Sequence, residues 1–187
     1  MAQQNAISEV QKPPEAKVLR YHTVREARYE DIPLLEDVER SADTVFKDVC
    51  FEDSLMDPVE LLDMLEDYNL WVAVDFQDNP VGFICGFELD GLFHVERLAV
   101  ARKYQRQGIG AALMDRMTSD VKEQGYRAIT LTTTMTFPFQ GPWYQTLGFF
   151  KLEDQDVGFE LDELIQSQSP DDMSNCIPWC PMRKNIS

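Results

Sequence analysis

The segment from His94 to Met117 constrains the fold more than any other part of the chain. It begins with residues typical of a β-strand, continues through a basic loop that carries Gly108 and Gly110, and ends in an amphipathic helical pattern. Glycines at the start of a helix let backbone N–H groups approach an anion without a Cβ atom in the way. The positive end of the helix dipole points at the same place. The segment therefore predicts a phosphate-binding turn.

The charge of the chain restricts its class of partner. There are 33 acidic residues against 17 lysines and arginines, which gives a formal net charge of −16 and a pI near 4.4. Nucleic-acid binding requires an excess of basic residues, so we expect no nucleic-acid partner. An acidic surface favours a cationic partner, although solubility alone would also explain it.

Cysteine and histidine usage predicts the compartment and the absence of a metal. The four cysteines do not follow a zinc or Cys-x-x-Cys redox spacing, and only two histidines are available. We therefore expect reduced thiols in a cytoplasmic protein without a metal site. No stretch approaches the roughly 18 apolar residues of a membrane span, and the first residues lack an apolar signal region, so no membrane partner is expected.

The length of 187 residues suits one domain. Residues 1–16 are polar and contain the Pro13-Pro14 pair, which predicts a disordered lead-in to a single domain over 17–187. That domain is expected to be a monomer or a homodimer.

The pattern of periodicities predicts an α+β fold in which antiparallel strands precede the glycine turn and a crossover helix follows it. The acidic stretch over 151–172 is expected to be a mobile loop. The predicted elements are strands over 18–27, 70–74, 81–87, 92–100, 128–134, 149–152 and 177–183, and helices over 31–42, 58–68, 109–124 and 143–147.

Three short motifs occur in a fixed order along the chain. They are Leu98-Ala99-Val100, Gln105-x-x-Gly108-x-Gly110-Ala111 and Trp143-Tyr144-x-x-Leu147-Gly148-Phe149. Together they resemble the GCN5-related N-acetyltransferase (GNAT) superfamily over roughly residues 21–184. The segments Glu39-Arg40-Ser41-Ala42 and Leu131-Thr132-Thr133 are similar to a bacterial branch of small-molecule acetyltransferases.

This resemblance implies a mixed, mostly antiparallel sheet with flanking helices, splayed between the fourth and fifth strands. It implies acetyl-CoA as co-substrate, with its pyrophosphate on the glycine turn and its pantetheine paired along the fourth strand. A bulge that splays this strand is expected, although no motif marks it. The residues that would hold acetyl-CoA are Leu98, Ala99, Val100, Gln105, Arg106, Gln107, Gly108, Ile109, Gly110 and Ala111.

Candidate catalytic side chains lie on the predicted fourth strand. Regular alternation would put His94 and Glu96 on the same side as Leu98 and Val100. The resemblance to arylalkylamine acetyltransferases, which have His-x-His at these positions, makes Glu96 the candidate base or amine anchor, acting through water, with His94 as the alternative.

Structural roles are the competing interpretation for these side chains. His94 would then be a hydrogen-bonded histidine on a half-buried strand, and Glu96 would pair with Arg97 or Arg102.

The family's tyrosine that protonates the coenzyme A thiolate matches Tyr144. The segment that precedes the Trp143-Tyr144 pair departs from the common family pattern, because Gln140-Gly141-Pro142 stands in place of Asn-Ala-Pro.

The acidic residues around the first two predicted helices indicate which kind of acceptor the site would bind. Fourteen acidic residues lie between Glu30 and Asp67, against two basic ones, which suits a small cationic or aralkyl amine. A peptide or protein amine and a non-catalytic coenzyme-A-binding module remain alternatives. Candidate acceptor contacts are Glu39, Phe46, Phe51 and Phe137.

Overall fold

The computed structural model describes residues 23–44, 55–67, 69–134, 140–168 and 179–186. The elements of these ranges are β1 (Thr23–Glu26), α1 (Ile32–Asp43), α2 (Pro58–Glu66), β2 (Leu70–Val74), β3 (Pro80–Leu89), β4 (Leu92–Val100), α3 (Ile109–Glu123), β5 (Ala128–Thr134), α4 (Gln140–Thr146), β6 (Phe150–Lys151), α5 (Phe159–Ser167) and β7 (Trp179–Asn185). The predicted lead-in over 1–16 and the start of the first predicted strand lie outside the described residues.

The strands form one mixed sheet in the order β1-β2-β3-β4-β5-β7-β6. The β4–β5 pair is parallel, and the other five neighbouring pairs are antiparallel. Helix α3 makes the crossover between β4 and β5, as the strand–helix–strand pattern predicted. The α+β class, the mostly antiparallel sheet and the flanking helices are confirmed.

Two apolar clusters cover the two faces of the sheet. One cluster joins α3 to the sheet through buried residues such as Leu113 and Met117, with Trp143 of α4 packed against it. The other joins α1 and α2 to the opposite face through Leu35 and Leu61. We call the side of the sheet that packs against α3 and α4 the α3/α4 face, and the side that packs against α1 and α2 the α1/α2 face.

The expected mobile loop over 151–172 is wrong for part of its length, because residues 159–167 form helix α5. The start of α5 is capped by a residue distant in sequence. The Asp90 carboxylate, in the turn between β3 and β4, accepts the N–H groups of Glu160 and Leu161 at 3.0 Å each, and Glu160 in turn accepts the Asp90 N–H. This reciprocal cap satisfies helix donors that the acidic local sequence leaves open.

None of the helices in the described ranges combines the length and the apolar composition that crossing a membrane would require.

Candidate active site

The site is organised by the separation of β4 from β5. The two strands pair at Phe93, His94 and Val95, opposite residues 129–131 of β5. Beyond Val95 their pairing ends, although β4 continues to Val100 and β5 to Thr134. The edge of β4 from Glu96 onward is therefore left open toward β5, between the two strands where the family resemblance implied a splay.

A β-bulge produces this separation. Along β3 and β4, Cys85 is opposite Arg97 whereas the next residue, Gly86, is opposite Val95, so Glu96 is the extra residue. A bulge increases the local twist and bends the strand that carries it. Glu96, the candidate base, is thus the bulged residue itself.

Gly86 is a determinant of this geometry that the sequence interpretation missed. A Cβ atom at this position would overlap the carbonyl oxygen of His94 and would come within 2.8 Å of the Phe93 ring. Only glycine lets the two strands approach this closely at the bulge. A glycine inside a strand pattern is the sequence signal that could have located it.

The bulge overturns the expectation that the four alternating residues of β4 share one side. Leu98 and Val100 pack into the cluster on the α3/α4 face. His94 is bonded to Thr130, whose neighbours Ile129 and Leu131 are in that cluster, so His94 faces the opposite side. One extra residue reverses the alternation, because side chains along a strand have a period of two.

The predicted phosphate-binding turn is an uncapped helix start. The first intrahelical bond of α3 runs from the Ala112 N–H to the Gly108 carbonyl, so the N–H groups of residues 109–111 have no acceptor within the helix. Arg106 and Gly108 have φ values of 58° and 90°, and Gly108, at the N-cap position, has no side chain with which to cap the helix. The backbone donors and the dipole therefore point outward toward an anion.

The loop before this turn is tied to the end of β4. The Gln105 side chain donates to the Val100 carbonyl at 2.9 Å, and Gln107 donates to the Lys103 carbonyl at 2.9 Å. These bonds hold the helix start in line with the open edge of β4. Two of the predicted cofactor residues thus stabilise the loop through their side chains.

Helix α4 is docked on the first turn of α3. A Cβ atom on Gly110 would lie 3.4 Å from the Trp143 ring and 4.0 Å from Leu98. The Trp143 and Tyr144 rings are 4.9 Å apart, and Tyr144 meets Phe149 edge to face at 5.7 Å. Burial raises the pKa of the Tyr144 phenol to about 12, so it keeps its proton at neutral pH.

The carboxylate of Glu96 is half-buried. Burial raises its pKa, Arg97 lowers it by Coulomb attraction, and Glu60 of α2 raises it by repulsion. Glu96 is not paired with Arg97, which contacts Glu39, nor with Arg102, whose guanidinium donates to Gln105. The ion-paired alternative for Glu96 is therefore not observed.

The His94 ring is fully buried, with 0% exposure. Its Nδ1 is 3.0 Å from the Thr130 hydroxyl, and Nε2 has no hydrogen-bond partner among the described residues. Burial lowers its pKa to about 4, so the ring is neutral at neutral pH. These surroundings match the structural interpretation of a hydrogen-bonded histidine.

Glu39 is also an interior residue, with 1% exposure. One carboxylate oxygen is 2.9 Å from Arg97 Nε and the other accepts the Met56 N–H at 3.0 Å. Desolvation raises its pKa, against the lowering by Arg97 and by the Met56 N–H. Oε1 has no hydrogen-bond partner among the described residues, so its contact with Arg97 is an ion pair alone, and the expected contact of Glu39 with an acceptor stays a prediction.

Helix α5 lies on the α1/α2 face. Its Leu161 lines a cavity of about 180 Å³ together with Thr130, which points away from the α3/α4 cluster, and with Arg183 of β7. This cavity lies where β4 and β5 are still paired, because Thr130 is opposite His94. The candidate acceptor residues Phe46, Phe51 and Phe137 lie outside the described residues.

Within the described ranges, no three histidine, cysteine or carboxylate side chains come together in a way that could hold a metal ion.

Comparison with known proteins agrees with this geometry. Residues 34–149 match the family model described as "Acetyltransferase (GNAT) family", and this range is more than half of the chain. The chain belongs to the GNAT acetyltransferase family. The splay, the bulge and the glycine turn are the parts of this chain that correspond to the family features expected from the motifs.

Among curated relatives, the peptidyl-lysine N-acetyltransferase YjaB of Salmonella typhimurium is 34% identical over 88 residues. The match covers 42% of this chain and 57% of that protein, so it spans little more than half of the length of the relative.

Solved structures of the family share the fold. The ribosomal-protein-S18-alanine N-acetyltransferase of Escherichia coli superposes with a TM-score of 0.65 at 16% identity, covering 88% of this chain and 94% of that one. The PaiA N-acetyltransferase of Thermoplasma acidophilum, solved with coenzyme A, gives a TM-score of 0.65 at 16% identity, covering 87% and 97%. At such identities the likeness concerns the fold alone.

Proposed function

We propose that this chain binds acetyl-CoA in the opening between β4 and β5 and transfers its acetyl group to a cationic amine. The observation that carries the proposal is the end of β4–β5 pairing at Val95, which leaves an open strand edge leading to the uncapped start of α3. An extended chain ending in phosphates fits an open edge followed by a cluster of unsatisfied N–H donors.

The residues of the turn fit the pyrophosphate. The N–H groups of residues 109–111 are available, and the positive φ at Arg106 and Gly108 turns the preceding backbone toward the same place. The pantetheine would pair with the edge at Leu98, Ala99 and Val100. Coenzyme A in the structure of the PaiA enzyme, which has the same fold, supports this choice of ligand.

Glu96 is the better candidate to receive the amine proton. It is partly accessible at the opening, and its raised pKa brings its basicity closer to neutral pH. His94 is buried, and its pKa of about 4 makes it a weak base at neutral pH. In this proposal Glu96 takes a proton from the attacking amine, directly or through one water, while His94 supports β4.

Tyr144 acts on the departing sulfur. A phenol with a pKa of about 12 is a weaker acid than an ordinary thiol, whose pKa is about 8.5. We therefore assign Tyr144 the role of hydrogen-bond donor to the developing thiolate. A cationic amine loses two protons during the transfer. Glu96 passes the first to solvent and so makes the amine nucleophilic, and the second, released as the amide forms, completes the thiol, so each turnover releases one proton.

The acceptor is proposed to be a cationic amine that enters over the α1/α2 face, where Glu96 and Glu60 provide negative charge. A small or aralkyl amine fits the motifs of α1 and β5. A lysine side chain in a peptide is the second candidate, favoured by the 34% identity with a peptidyl-lysine N-acetyltransferase over 88 residues.

The test is a thiol-release assay with acetyl-CoA and matched acceptors. The acceptors are diamines, aralkyl amines, and a lysine peptide beside its Lys→Arg counterpart. We expect thiol release that depends on one amine class, together with a rise in melting temperature on addition of acetyl-CoA. No such rise would overturn the proposed binding site, and binding without turnover on any acceptor would identify a non-catalytic module.

A further inference from the structure

The connection between β4 and the start of α3 begins with a short 3₁₀ turn over Arg102–Tyr104. The first N–H groups of such a turn have no acceptor within it, and the preceding residue, Ala101, has no polar side chain that could cap them. The Arg102 N–H instead donates to the Ser41 hydroxyl oxygen at 3.1 Å. Ser41 lies in the last turn of α1, 61 positions earlier in the chain, so α1 holds the first residue of this connection.

Further contacts pass from Arg102 to the end of β4. The Arg102 guanidinium donates to the Gln105 side-chain oxygen at 3.1 Å, and the Gln105 side-chain nitrogen donates to the Val100 carbonyl at 2.9 Å. Ala101 packs against the cluster on the α1/α2 face, whereas Tyr104 packs against the cluster on the α3/α4 face. The connection therefore joins the two faces of the sheet, and the position of its first residue affects the path that the backbone takes to the helix start.

We propose that Ser41 is a positioning residue for acetyl-CoA: its hydroxyl holds the Arg102 backbone against α1 and so fixes the distance between the open edge of β4 and the N–H donors at the start of α3. This inference rests on the proposed function, in which pantetheine lies along that edge and the pyrophosphate on those donors. Because one molecule has to meet both places at once, an error in the distance between them weakens its binding. Ser41 itself need not touch the cofactor.

The substitution of Ser41 by alanine removes this contact with little other change. Alanine is a better helix former than serine, so α1 should be kept. The contact is exposed, so water can take the place of the hydroxyl as acceptor, and the melting temperature should fall by less than about 4 °C. Threonine keeps an oxygen at the same position of the side chain and should preserve the contact. The two variants therefore separate the hydroxyl from other properties of the residue.

The experiment measures the KM and kcat for acetyl-CoA in Ser41→Ala, in Ser41→Thr and in a control, Thr44→Ala. The Thr44 hydroxyl donates to the Ser41 carbonyl at 2.9 Å, so the control removes a hydroxyl from the same helix end and leaves the Arg102 contact in place. In Ser41→Ala we expect the KM for acetyl-CoA to rise roughly two- to tenfold, the size of one hydrogen bond, with kcat at saturation unchanged. Ser41→Thr and Thr44→Ala should keep the KM of the unmodified protein.

S-acetylpantetheine, which lacks the pyrophosphate, tests the role of the distance itself. It meets only the edge of β4, so its kcat/KM should be the same in Ser41→Ala and in the unmodified protein. An unchanged KM for acetyl-CoA in Ser41→Ala, a rise of equal size in Ser41→Thr, or an equal loss with S-acetylpantetheine would overturn the inference. None of these outcomes bears on the proposed function, which is refuted instead when the unmodified protein binds no acetyl-CoA, and Ser41 then has no such role.

Discussion

Gly86 of β3 faces the carbonyl oxygen of His94 so closely that a Cβ atom at position 86 would overlap it. The contact lies where the register of β3 and β4 shifts by one residue and leaves Glu96 as the bulge. Because β4 leaves β5 immediately beyond this point, the absence of one methyl group permits the opening in which acetyl-CoA is proposed to bind.

Gly86→Ala should therefore disturb both the fold and cofactor binding. Overpacking of this kind costs about 1–3 kcal/mol of unfolding free energy, and relief of the overlap requires β4 to move. We expect a lower melting temperature and a marked loss of acetyl-CoA affinity, measured by calorimetry under conditions where the variant is folded.

Gly91→Ala is the matched control for this variant. Gly91 lies in the turn between β3 and β4 at φ 69°, with nothing within 4 Å of an added Cβ. The alanine should cost about 1 kcal/mol through the backbone alone and leave acetyl-CoA binding intact. Equal losses of affinity in the two variants would contradict the role of the bulge.

Asp90→Asn should loosen α5. Asparagine tolerates the φ of 50° at this position but offers one acceptor where the carboxylate receives two helix N–H groups. Loss of a cap costs about 1 kcal/mol, which corresponds to roughly 2–4 °C in melting temperature for a chain of this size. Hydrogen exchange should speed up in α5 first. Glu163→Gln, on the exposed side of the same helix, should leave exchange unchanged, and similar exchange in both variants would argue against the cap.

This cap also explains why α5 was not predicted from the sequence. The residue that satisfies its first N–H groups is 70 positions away in the chain. A local search for a helix start finds Gly158 there, and the stretch around it is acidic. By contrast, β2 to β5 and α3 could be predicted because their apolar periodicity and their turn glycines are contained in the segments themselves.

The sequence was sufficient to predict the part of the candidate site that is made of backbone groups. It was not sufficient to predict the face of the sheet to which each side chain of β4 points. Gly108 and Gly110 marked the helix start because glycine has few reasons to occur there. The sides to which His94, Leu98 and Arg97 point depend on a bulge, which is determined by the partner strand. The expectation that successive side chains alternate between the two faces of the sheet therefore fails at a bulged residue.

His94 should make stability depend on pH. Its pKa is about 4 in the folded protein and about 6.5 when unfolded. Between these values the unfolded chain binds more protons, so the free energy of unfolding rises with pH over this window and levels off above about 6.5. The difference corresponds to about 3 kcal/mol.

Denaturant unfolding at pH 5 and pH 7 measures this contribution. His94→Gln should be less stable at pH 7 and should lose much of the difference between the two pH values. His22→Gln, which replaces the other histidine of the chain, should keep it. A slope that survives in His94→Gln would assign the effect to other groups.

Glu96 should control the acidic limb of the acetyl-transfer rate. Its pKa is raised by burial, so the limb in kcat/KM should lie above the ordinary glutamate value of about 4.3, with the rate rising as the carboxyl loses its proton. Glu96→Gln should remove this limb and lower kcat/KM by roughly 100-fold. His94→Gln should retain the limb, and its loss in that variant would transfer the role of base to His94.

Tyr144→Phe should lower kcat with little effect on acetyl-CoA binding. The substitution removes one O–H group and leaves the ring contacts with Trp143 and Phe149 in place, so the docking of α4 on α3 should be kept. A lost hydrogen bond to a charged group is worth about 1.5–3 kcal/mol, which corresponds to roughly a 10- to 100-fold lower kcat. Tyr126→Phe, which removes a hydroxyl bonded to Glu88 at 3.0 Å, controls for the change of residue type.

Because the Tyr144 phenol stays protonated up to a pH of about 12, its contribution should be constant with pH between 6 and 9. An unchanged kcat in Tyr144→Phe would mean that the thiolate leaves without help from this side chain.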